Sequence, residues 1–342
     1  MRADRYALPV GILGLAIATY GWRLQSGGFF SGWLAALTLF SAWPLGSMAL
    51  LLIHSLTGGR WGEVLRPALR VGVCSLPLLL PAVLPLAAGL SPLYAWARPD
   101  PARHLANAFY LNVPFFAARG AVYLVVWFVL GWVVLFARHV QRIAPAGLFL
   151  LAVTTTFAAI DATMSLDPHF TSSIYGMIAA AGMALLALSM AVLLTAGRAT
   201  PDERADLGKL LLALVILWIY LDFMQLLIIW QSDLSMDVPW YLDHSRGVWG
   251  GLRIAIVIGH FVLPFFLLLS PRMQRSRVVI LSVAALLVAM EILRSWWTVL
   301  PALGRSIDWI DLACMAGLGG LAIGLGSWMA RRPVFARRAS HV

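Results

Sequence analysis

The sequence contains very little charge: only 12% of its 342 residues are Asp, Glu, Lys or Arg, whereas 61% are hydrophobic. An average soluble domain carries about 25% charged residues, so this composition excludes an ordinary soluble protein. Apolar runs of about 20 residues, the length needed to cross a bilayer, recur ten times. Because lipid offers the backbone no hydrogen-bond partners, each run is expected to be a helix. The sequence therefore predicts an all-α polytopic membrane protein, folded as a single integral membrane domain over residues 1–342.

The ten predicted spans are separated by short polar segments. They cover roughly residues 7–22, 30–56, 66–90, 112–137, 144–165, 173–197, 208–231, 248–270, 277–300 and 308–330. The first span follows the charged residues 1–5, as in a signal peptide, but no small-residue cleavage site precedes Gly27, which favours an uncleaved helix. Pro77, Pro81 and Pro85 recur every four residues in the third span and predict a kink there.

Cysteine is scarce, with one residue, Cys74, in the third span and one, Cys314, in the tenth. Two such residues exclude a disulfide framework, a CxxCH haem attachment and a four-cysteine iron–sulfur site. The two intramembrane histidines, His54 and His260, lie at different predicted depths and do not suit a bis-histidine haem. The chain is therefore expected to hold no metal and no covalently bound cofactor.

Positive charge is unevenly distributed between the loops. Most arginines lie in the N-terminal segment, the even-numbered loops and the C-terminal tail. The positive-inside rule then places both termini in the cytoplasm. The net charge of +10 is interpreted as this topology signal plus contact with anionic lipid head groups, so no nucleic-acid partner is invoked. The longest loops, about 91–111 and about 232–247, would face outward and are the expected docking surface for extrinsic partners.

A faint internal repeat links the two halves of the chain. Val113–Phe116 enters the fourth span and Val238–Tyr241 precedes the eighth, and an Arg-Gly pair follows each, at Arg119 and at Arg246. A separation of four spans predicts a parallel duplication: four-helix bundles at about 30–165 and about 173–300, with the helices 7–22 and 308–330 peripheral. Chance echoes from aromatic belts and positive-inside loops are the alternative explanation.

Few ionisable side chains lie at membrane depth, and each costs about 2.5–3.5 kcal/mol there, so each is a functional candidate. They crowd into the outer half of the predicted spans. Three carboxylates balance three guanidiniums, with one imidazole: Arg119, Asp161, Asp222, Arg253, His260, Glu291 and Arg294.

The local spacing distinguishes these candidates. Asp222 shares a helix face with the uncharged residues Trp218 and Gln225, which favours a proton-handling or ligand-binding role for its carboxylate. Glu291 lies three residues before Arg294, and the two can pair locally as a structural clasp. His260 is open to either interpretation.

Six segments between about residues 46 and 311 follow an order that resembles a known family. They are Ser165–His169 (SLDPH) with Ser173–Gly176 (SIYG); His54–Gly62 (HSLTGGRWG); Tyr110–Phe116 (YLNVPFF) with Arg119 and Tyr123; Tyr220, Phe223, Gln225, Ile228 and Trp230; Val238–Leu242 (VPWYL); and the spacing from Trp297 to Pro301. This pattern resembles the membrane subunits of alternative complex III, the bacterial quinol:cytochrome c oxidoreductase. Without haem or cluster motifs, the chain is most similar to the ActF type, a relative of the polysulfide-reductase (NrfD-like) membrane subunits.

The resemblance implies an inner-membrane subunit of an electron-transfer complex without a redox centre of its own. Haems and iron–sulfur clusters would reside on partner subunits, and quinol or menaquinol would be the bound molecule. Proton handling would fall to Asp161, Asp167 and His169 at an outer mouth, with Asp222 and His260 deeper. The candidates for quinol binding, or for completing the polar cluster, are Arg119, Arg253, Trp218 and Gln225.

Two features depart from the family pattern. An acidic loop run is replaced by Ser235, Met236 and Asp237, and the order of Glu291 and Arg294 is reversed, which favours a clasp over a directional proton relay. Two other functional classes stay open. One is a secondary transporter, and the other is a structural anchor in which residues 165–169 form a capped turn that meets a partner.

Overall fold

The computed structural model describes residues 3–98, 107–232 and 237–332. Within this part all regular structure is helical, and ten helices are long and apolar enough to cross a membrane. They are α1 (Tyr6–Leu24), α2 (Ser26–Thr57), α3 (Arg60–Ala88), α4 (Val113–Phe136), α5 (Val140–Leu166), α6 (Tyr175–Thr195), α7 (Pro201–Ser232), α8 (Val248–Leu269), α9 (Arg277–Leu303) and α10 (Trp309–Ala330). The predicted all-α polytopic fold is confirmed.

Several helices extend beyond the apolar runs. α7 begins at Pro201, seven residues before its predicted start, because Thr200 and Glu203 form a reciprocal cap: the Thr200 amide donates to the Glu203 carboxylate at 2.7 Å, and the Glu203 amide donates to Thr200 Oγ1 at 3.3 Å. Proline suits the first helical turn because it has no amide hydrogen to satisfy there. Hydropathy marks the lipid-embedded length of a helix and misses such polar extensions.

The prolines of α3 interrupt it as predicted. Regular α-helix runs from Arg60 to Cys74 and is followed by a 3₁₀ turn at Leu76–Leu78 and short helices at Leu79–Ala82 and Leu84–Ala88. Each proline removes a backbone donor and clashes with the preceding turn. The second half of α3 is therefore irregular.

α2 is the central helix of the assembly. It packs against α3, α4 and α5, and also against α6, α9 and α10. α6 contacts α7 and α9 as well as α2, and α8 packs between α7 and α9. α1 lies against α10, where Gly14 and Gly317 bring the two backbones into close contact. The duplication that would relate the two groups of helices stays a prediction.

Ten crossings put residues 3 and 332 on one side of a membrane and the segments around 91–111 and 232–247 on the other, which is called the long-loop side below. Residues 99–106 and 233–236, which form part of the expected docking loops and include the Ser235-Met236 departure, lie outside the described residues, as do residues 333–342 of the arginine-rich tail.

The two Arg-Gly pairs of the proposed repeat do not correspond. Arg119 lies inside α4 with its side chain mostly buried, whereas Arg246 lies in an exposed turn before α8 and pairs with Asp243 at 2.9 Å. Gly247 has φ +55°, so this pair forms a loop-to-helix turn. The two pairs match in sequence but lie in different backbone settings, because a short string match does not fix the backbone around it.

The contact between α2 and α6 depends on Gly46. A Cβ at this position would lie 2.0 Å from the carbonyl oxygen of Met183, a backbone atom that cannot move aside alone. We expect Gly46→Ala to lower the free energy of unfolding by about 1–3 kcal/mol through overpacking. The matched control is Gly27→Ala in the same helix, where the added methyl meets nothing and helix propensity favours alanine. Denaturation of the detergent-solubilised protein measures both, and equal stabilities would contradict this packing.

Candidate functional site

A cavity of about 450 Å³ lies among α2–α9 in the half nearer the long-loop side. Its volume is within the range of small-molecule sites, about 300–1,000 Å³. Most of its lining is aliphatic or aromatic. The polar side chains on its wall include Thr38, Ser41, Tyr123, Asp161, Thr163, Tyr175, Asp222, Gln225, Arg253, Glu291, Arg294, Ser295 and Thr298. Charged side chains from α5, α7, α8 and α9 therefore reach one cavity.

One carboxylate on this wall is fully occupied. Asp161 accepts a bidentate pair from Arg119, with Nε to Oδ2 at 2.9 Å and Nη2 to Oδ1 at 2.8 Å. The Tyr123 hydroxyl adds a third hydrogen bond to Oδ2 at 2.8 Å. The guanidinium also lies over the Tyr110 ring at 3.8 Å and donates from Nη1 to the Tyr110 carbonyl at 2.9 Å. This arrangement clasps α4 to α5 and leaves little capacity for a ligand.

Ser165 and Thr154 form a polar stripe with Asp161 on α5, one turn after it and two turns before it. Ser165 donates to the backbone carbonyl of Asp161 at 2.6 Å, and Thr154 accepts from the Trp127 indole at 3.0 Å. Neither hydroxyl hydrogen-bonds to the carboxylate. The stripe stabilises the α4–α5 contact, and no hydrogen-bonded chain along it connects to the Asp161 carboxylate.

A second carboxylate is half occupied. Glu291 Oε2 pairs with Arg294 at 2.7 Å from Nη2 and 2.9 Å from Nε, which confirms the predicted local pair. Oε1 lies 3.2 Å from His260 Nε2, but the two groups are not aligned for a hydrogen bond. Both ring nitrogens of His260 and Oε1 of Glu291 are buried without a hydrogen-bond partner among the described residues. Buried polar atoms in this state are costly unless a ligand or a proton completes them.

A wide helical turn positions His260. Residues Val257–Val262 form a π-helical turn inside α8, a feature that is frequently found at functional sites. Pro264 has no amide hydrogen for the His260 carbonyl, which disfavours the α-helical pattern at this point. Gly259 lets the turn approach Met290 of α9, and the Trp218 ring meets the imidazole edge-on at 4.1 Å. Nothing in the local sequence except Pro264 signals this turn.

Two charged groups on the cavity wall are unpaired. Asp222 forms no hydrogen bond or ion pair with any residue in the described ranges. Arg253 forms none either, and its guanidinium instead lies 5.0 Å from the Tyr241 ring centroid and 5.6 Å from that of Trp297. Both side chains line the cavity together with Trp218. A free carboxylate and a free guanidinium can accept and donate hydrogen bonds to the same small molecule.

The predicted helix face of Trp218, Asp222 and Gln225 is confirmed, since all three residues line the cavity. Gln225 differs from Asp222 because both ends of its amide are engaged. Its Nε2 donates to the Tyr241 hydroxyl at 3.0 Å, and its Oε1 accepts from Ser172 at 2.5 Å. Gln225 therefore holds the rim of the cavity in place.

Asp167 and His169 do not line the cavity. Asp167 Oδ1 accepts from the His169 amide at 2.9 Å, which closes a tight turn, and the His169 side chain is exposed. In the structural-anchor alternative, Asp167 or Ser165 would cap the next helix, but α6 begins after Ile174 without a side-chain cap. The segment is anchored instead by the buried ring of Phe170, which stacks on Trp240 at 4.5 Å. The mouth of the cavity therefore lacks these two groups.

Ser295 and Thr298 were not identified as wall residues from the sequence, and Glu291 and Arg294 were interpreted as a local pair, although a signal for a shared face existed. Glu291, Arg294, Ser295 and Thr298 repeat at three- and four-residue intervals on α9 and all line the cavity. Glu291 and Arg294 were interpreted as a local clasp, so the shared face was overlooked. The pairing of Arg119 with Asp161, by contrast, joins residues 42 positions apart and has no local signature.

Within the described ranges, no three His, Cys, Asp or Glu side chains come together as metal ligands. No family model matches this chain, and no curated protein matches it. The interpretation of the site therefore depends on its own geometry.

The Arg119–Asp161 clasp gives a stability prediction. Asp161→Asn leaves a buried guanidinium without its counter-charge, so we expect the free energy of unfolding to fall by about 3–5 kcal/mol. Asp206→Asn is the control, because Asp206 forms exposed pairs with Arg60 and Lys209 that are worth less than about 1 kcal/mol. Denaturation in detergent compares the variants. A loss for Asp161→Asn no larger than that of the control would show that the clasp is not structural.

His244, in the segment before α8, gives a pH prediction. Burial lowers its pKa to about 4, although Nδ1 donates to the Trp240 carbonyl at 2.7 Å. Between pH about 6.5 and 4, His244 is protonated in the unfolded chain but neutral in the folded chain. The free energy of unfolding therefore falls as the pH drops from 6.5 towards 4, by up to about 3 kcal/mol. Melting temperatures across this range should flatten in His244→Asn and keep their slope in the exposed control His169→Asn. An unchanged slope in His244→Asn would refute the prediction.

Proposed function

We propose that this chain is an integral membrane subunit of a respiratory quinol:cytochrome c oxidoreductase of the alternative complex III type, and that its cavity binds the quinol. The observation that carries this proposal is that two charged side chains on the cavity wall have no hydrogen-bond or ion-pair partner among the described residues. An apolar enclosure at membrane depth contains an unpaired carboxylate, Asp222, and an unpaired guanidinium, Arg253. The ordered sequence segments that resemble the ActF-type subunits support the same assignment.

The chemistry of a quinol fits such a wall. A quinol has a flat aromatic ring with two hydroxyl groups and a long isoprenoid chain, so it needs apolar surface and a few polar contacts. Its oxidation to quinone releases two protons and two electrons. Asp222 would accept a hydrogen bond and then a proton from one hydroxyl, while Arg253 would donate to a ring oxygen. The electrons would leave to haems or iron–sulfur clusters on partner subunits, which supply the acceptor.

Glu291 and His260 provide an acceptor for the second proton. Glu291 lines the cavity, and its free Oε1 faces His260 Nε2 at 3.2 Å. A proton shared between them would need only a small rotation of the imidazole or the carboxylate to form the hydrogen bond that is missing. In this proposal the pair receives protons from the cavity, while Arg294 keeps Glu291 in place from the other oxygen.

The arrangement in the membrane follows from the charge distribution. The arginine-rich loops would lie in the cytoplasm of a bacterial cell, so the long-loop side would face outward. Extrinsic subunits that carry the redox centres would dock there. Asp167 and His169 would belong to this docking surface, because they are turned away from the cavity.

Purification of the tagged chain from its native membranes tests the assembly. We expect a multi-subunit complex that contains a multihaem cytochrome and an iron–sulfur subunit, both detectable by absorption spectroscopy and mass spectrometry, and that reduces cytochrome c with quinol. A chain that purifies without redox partners, or a complex without quinol:cytochrome c activity, would overturn the proposal. Uptake of a solute into liposomes by the chain alone would favour the transporter alternative.

Asp222→Asn tests the role of the free carboxylate within the assembled complex. We expect turnover with quinol to fall by at least tenfold, because a single well-placed proton acceptor contributes about 10²–10⁴-fold, while the complex still assembles. The matched control is Asp206→Asn in the same helix, whose carboxylate forms exposed ion pairs outside the cavity. Full activity in Asp222→Asn would remove this residue from the mechanism.

A further inference from the structure

The cavity extends to the outer surface of the protein between α3 and α4. Ala87 of α3 and Ala117 and Ala121 of α4 line the cavity and are also exposed. All three side chains are methyl groups, so they leave space between the two helices. Ala87 lies at the long-loop end of α3, and Ala117 and Ala121 lie in the first half of α4, so the gap reaches the surface of the membrane-spanning part near its long-loop side.

The gap has a structural cause in the proline-broken half of α3. α4 packs against the regular part of α3 and the turn at Leu76–Leu78, but it hardly touches the short helices from Leu79 to Leu93. Gly120 lies on α4 beside the opening, and a Cβ there would meet no atom within 4 Å. The space beside α4 is therefore open at this level, whereas the same helix is tightly packed at Gly131, where a Cβ would lie 2.8 Å from Leu76.

The polar end of the cavity lies away from this gap. The wall carboxylate of α5, Asp161, is held by Arg119 and Tyr123 of α4 through both of its oxygens. The unpaired groups Asp222 and Arg253 lie on the part of the wall that α7 and α8 contribute, whereas the gap lies between α3 and α4. A molecule that enters from the bilayer must pass apolar walls before it meets a free polar partner.

We propose that the gap between α3 and α4 is the lateral entrance of an isoprenoid quinol, an inference that rests on the proposed function. The ring advances to Asp222 and Arg253, and the isoprenoid chain trails through the first group of helices and out past Gly120 into the bilayer. The apolar route selects a lipid-soluble molecule with a flat head, and it excludes polar solutes that would have to shed their water in the gap.

Substitution of Gly120 tests the entrance without touching the polar wall. In Gly120→Phe the aromatic ring fills the gap, whereas Gly120→Ala adds a methyl group that the space accommodates. The matched control is Gly251→Phe on α8, where a Cβ also meets nothing within 4 Å and the position is exposed outside the cavity. In the purified complex we expect Gly120→Phe to lower the co-purifying quinone and the kcat/KM for a long-chain quinol by at least tenfold. Gly120→Ala and Gly251→Phe should match the wild type, and full quinone content and turnover in Gly120→Phe would overturn the entrance.

Photo-cross-linking separates the entrance from the proposed function. A ubiquinone and a menaquinone, each with a photoreactive azido group on the isoprenoid chain, are added to the complex in native-lipid nanodiscs, and labelled peptides are mapped by mass spectrometry. Labels on α3 and α4 around Ala87 and Ala117, lost in Gly120→Phe, support the entrance. Labels confined to other helices, in a complex that still oxidises quinol, refute the entrance alone. A complex that neither binds quinone nor oxidises quinol refutes the proposed function as well.

Discussion

Hydrocarbon provides no hydrogen-bond partner, so each charge at membrane depth must find one inside the protein. Arg119 and Asp161 satisfy this constraint completely, with two parallel hydrogen bonds between them and a tyrosine hydroxyl on the same carboxylate. Asp222 and Arg253 form no hydrogen bond or ion pair with any residue that the structure describes. Asp222 and Arg253, two charges without a partner among the described residues, both line the cavity. The paired residues Arg119 and Asp161 hold two helices together, whereas the unpaired residues can bind a molecule.

The two oxygens of the Glu291 carboxylate on α9 have different neighbours. Arg294 takes one oxygen of Glu291, and the other oxygen faces His260 without a formed hydrogen bond. Arg294 therefore holds the Glu291 carboxylate in position, and Oε1 keeps its capacity to form a hydrogen bond. Because the imidazole is enclosed by Trp218 and the π-helical turn, a change of protonation there cannot be compensated by water and must be compensated by its neighbours.

Hydropathy predicted the number of helices because a run of about 20 apolar residues has few alternatives to a spanning helix. The break in α3 was also predictable, since proline acts locally on its own backbone. Pairings across helices were not: Arg119 finds Asp161 because α4 packs on α5, which no local pattern encodes. Asp167 and His169 were expected at the cavity mouth, but the burial of Phe170 sets the direction of their turn. Spacing on one helix face was sufficient to identify Trp218, Asp222 and Gln225, and the same signal on α9 was overlooked at Ser295 and Thr298. Pairings between helices depend on tertiary packing, which local spacing does not encode.

The π-helical turn in α8 also affects how this helix presents its two halves. Each residue of an α-helix advances by about 100° around the axis, and a turn that holds one more residue shifts the following half by about that angle relative to the preceding one. The stripe of α8 that carries Arg253 and the stripe that begins at His260 therefore follow different phases. A relative that lacked the extra residue could keep both the arginine and the histidine in this helix and yet direct one of them to different neighbours. The two helices could then not be compared position by position.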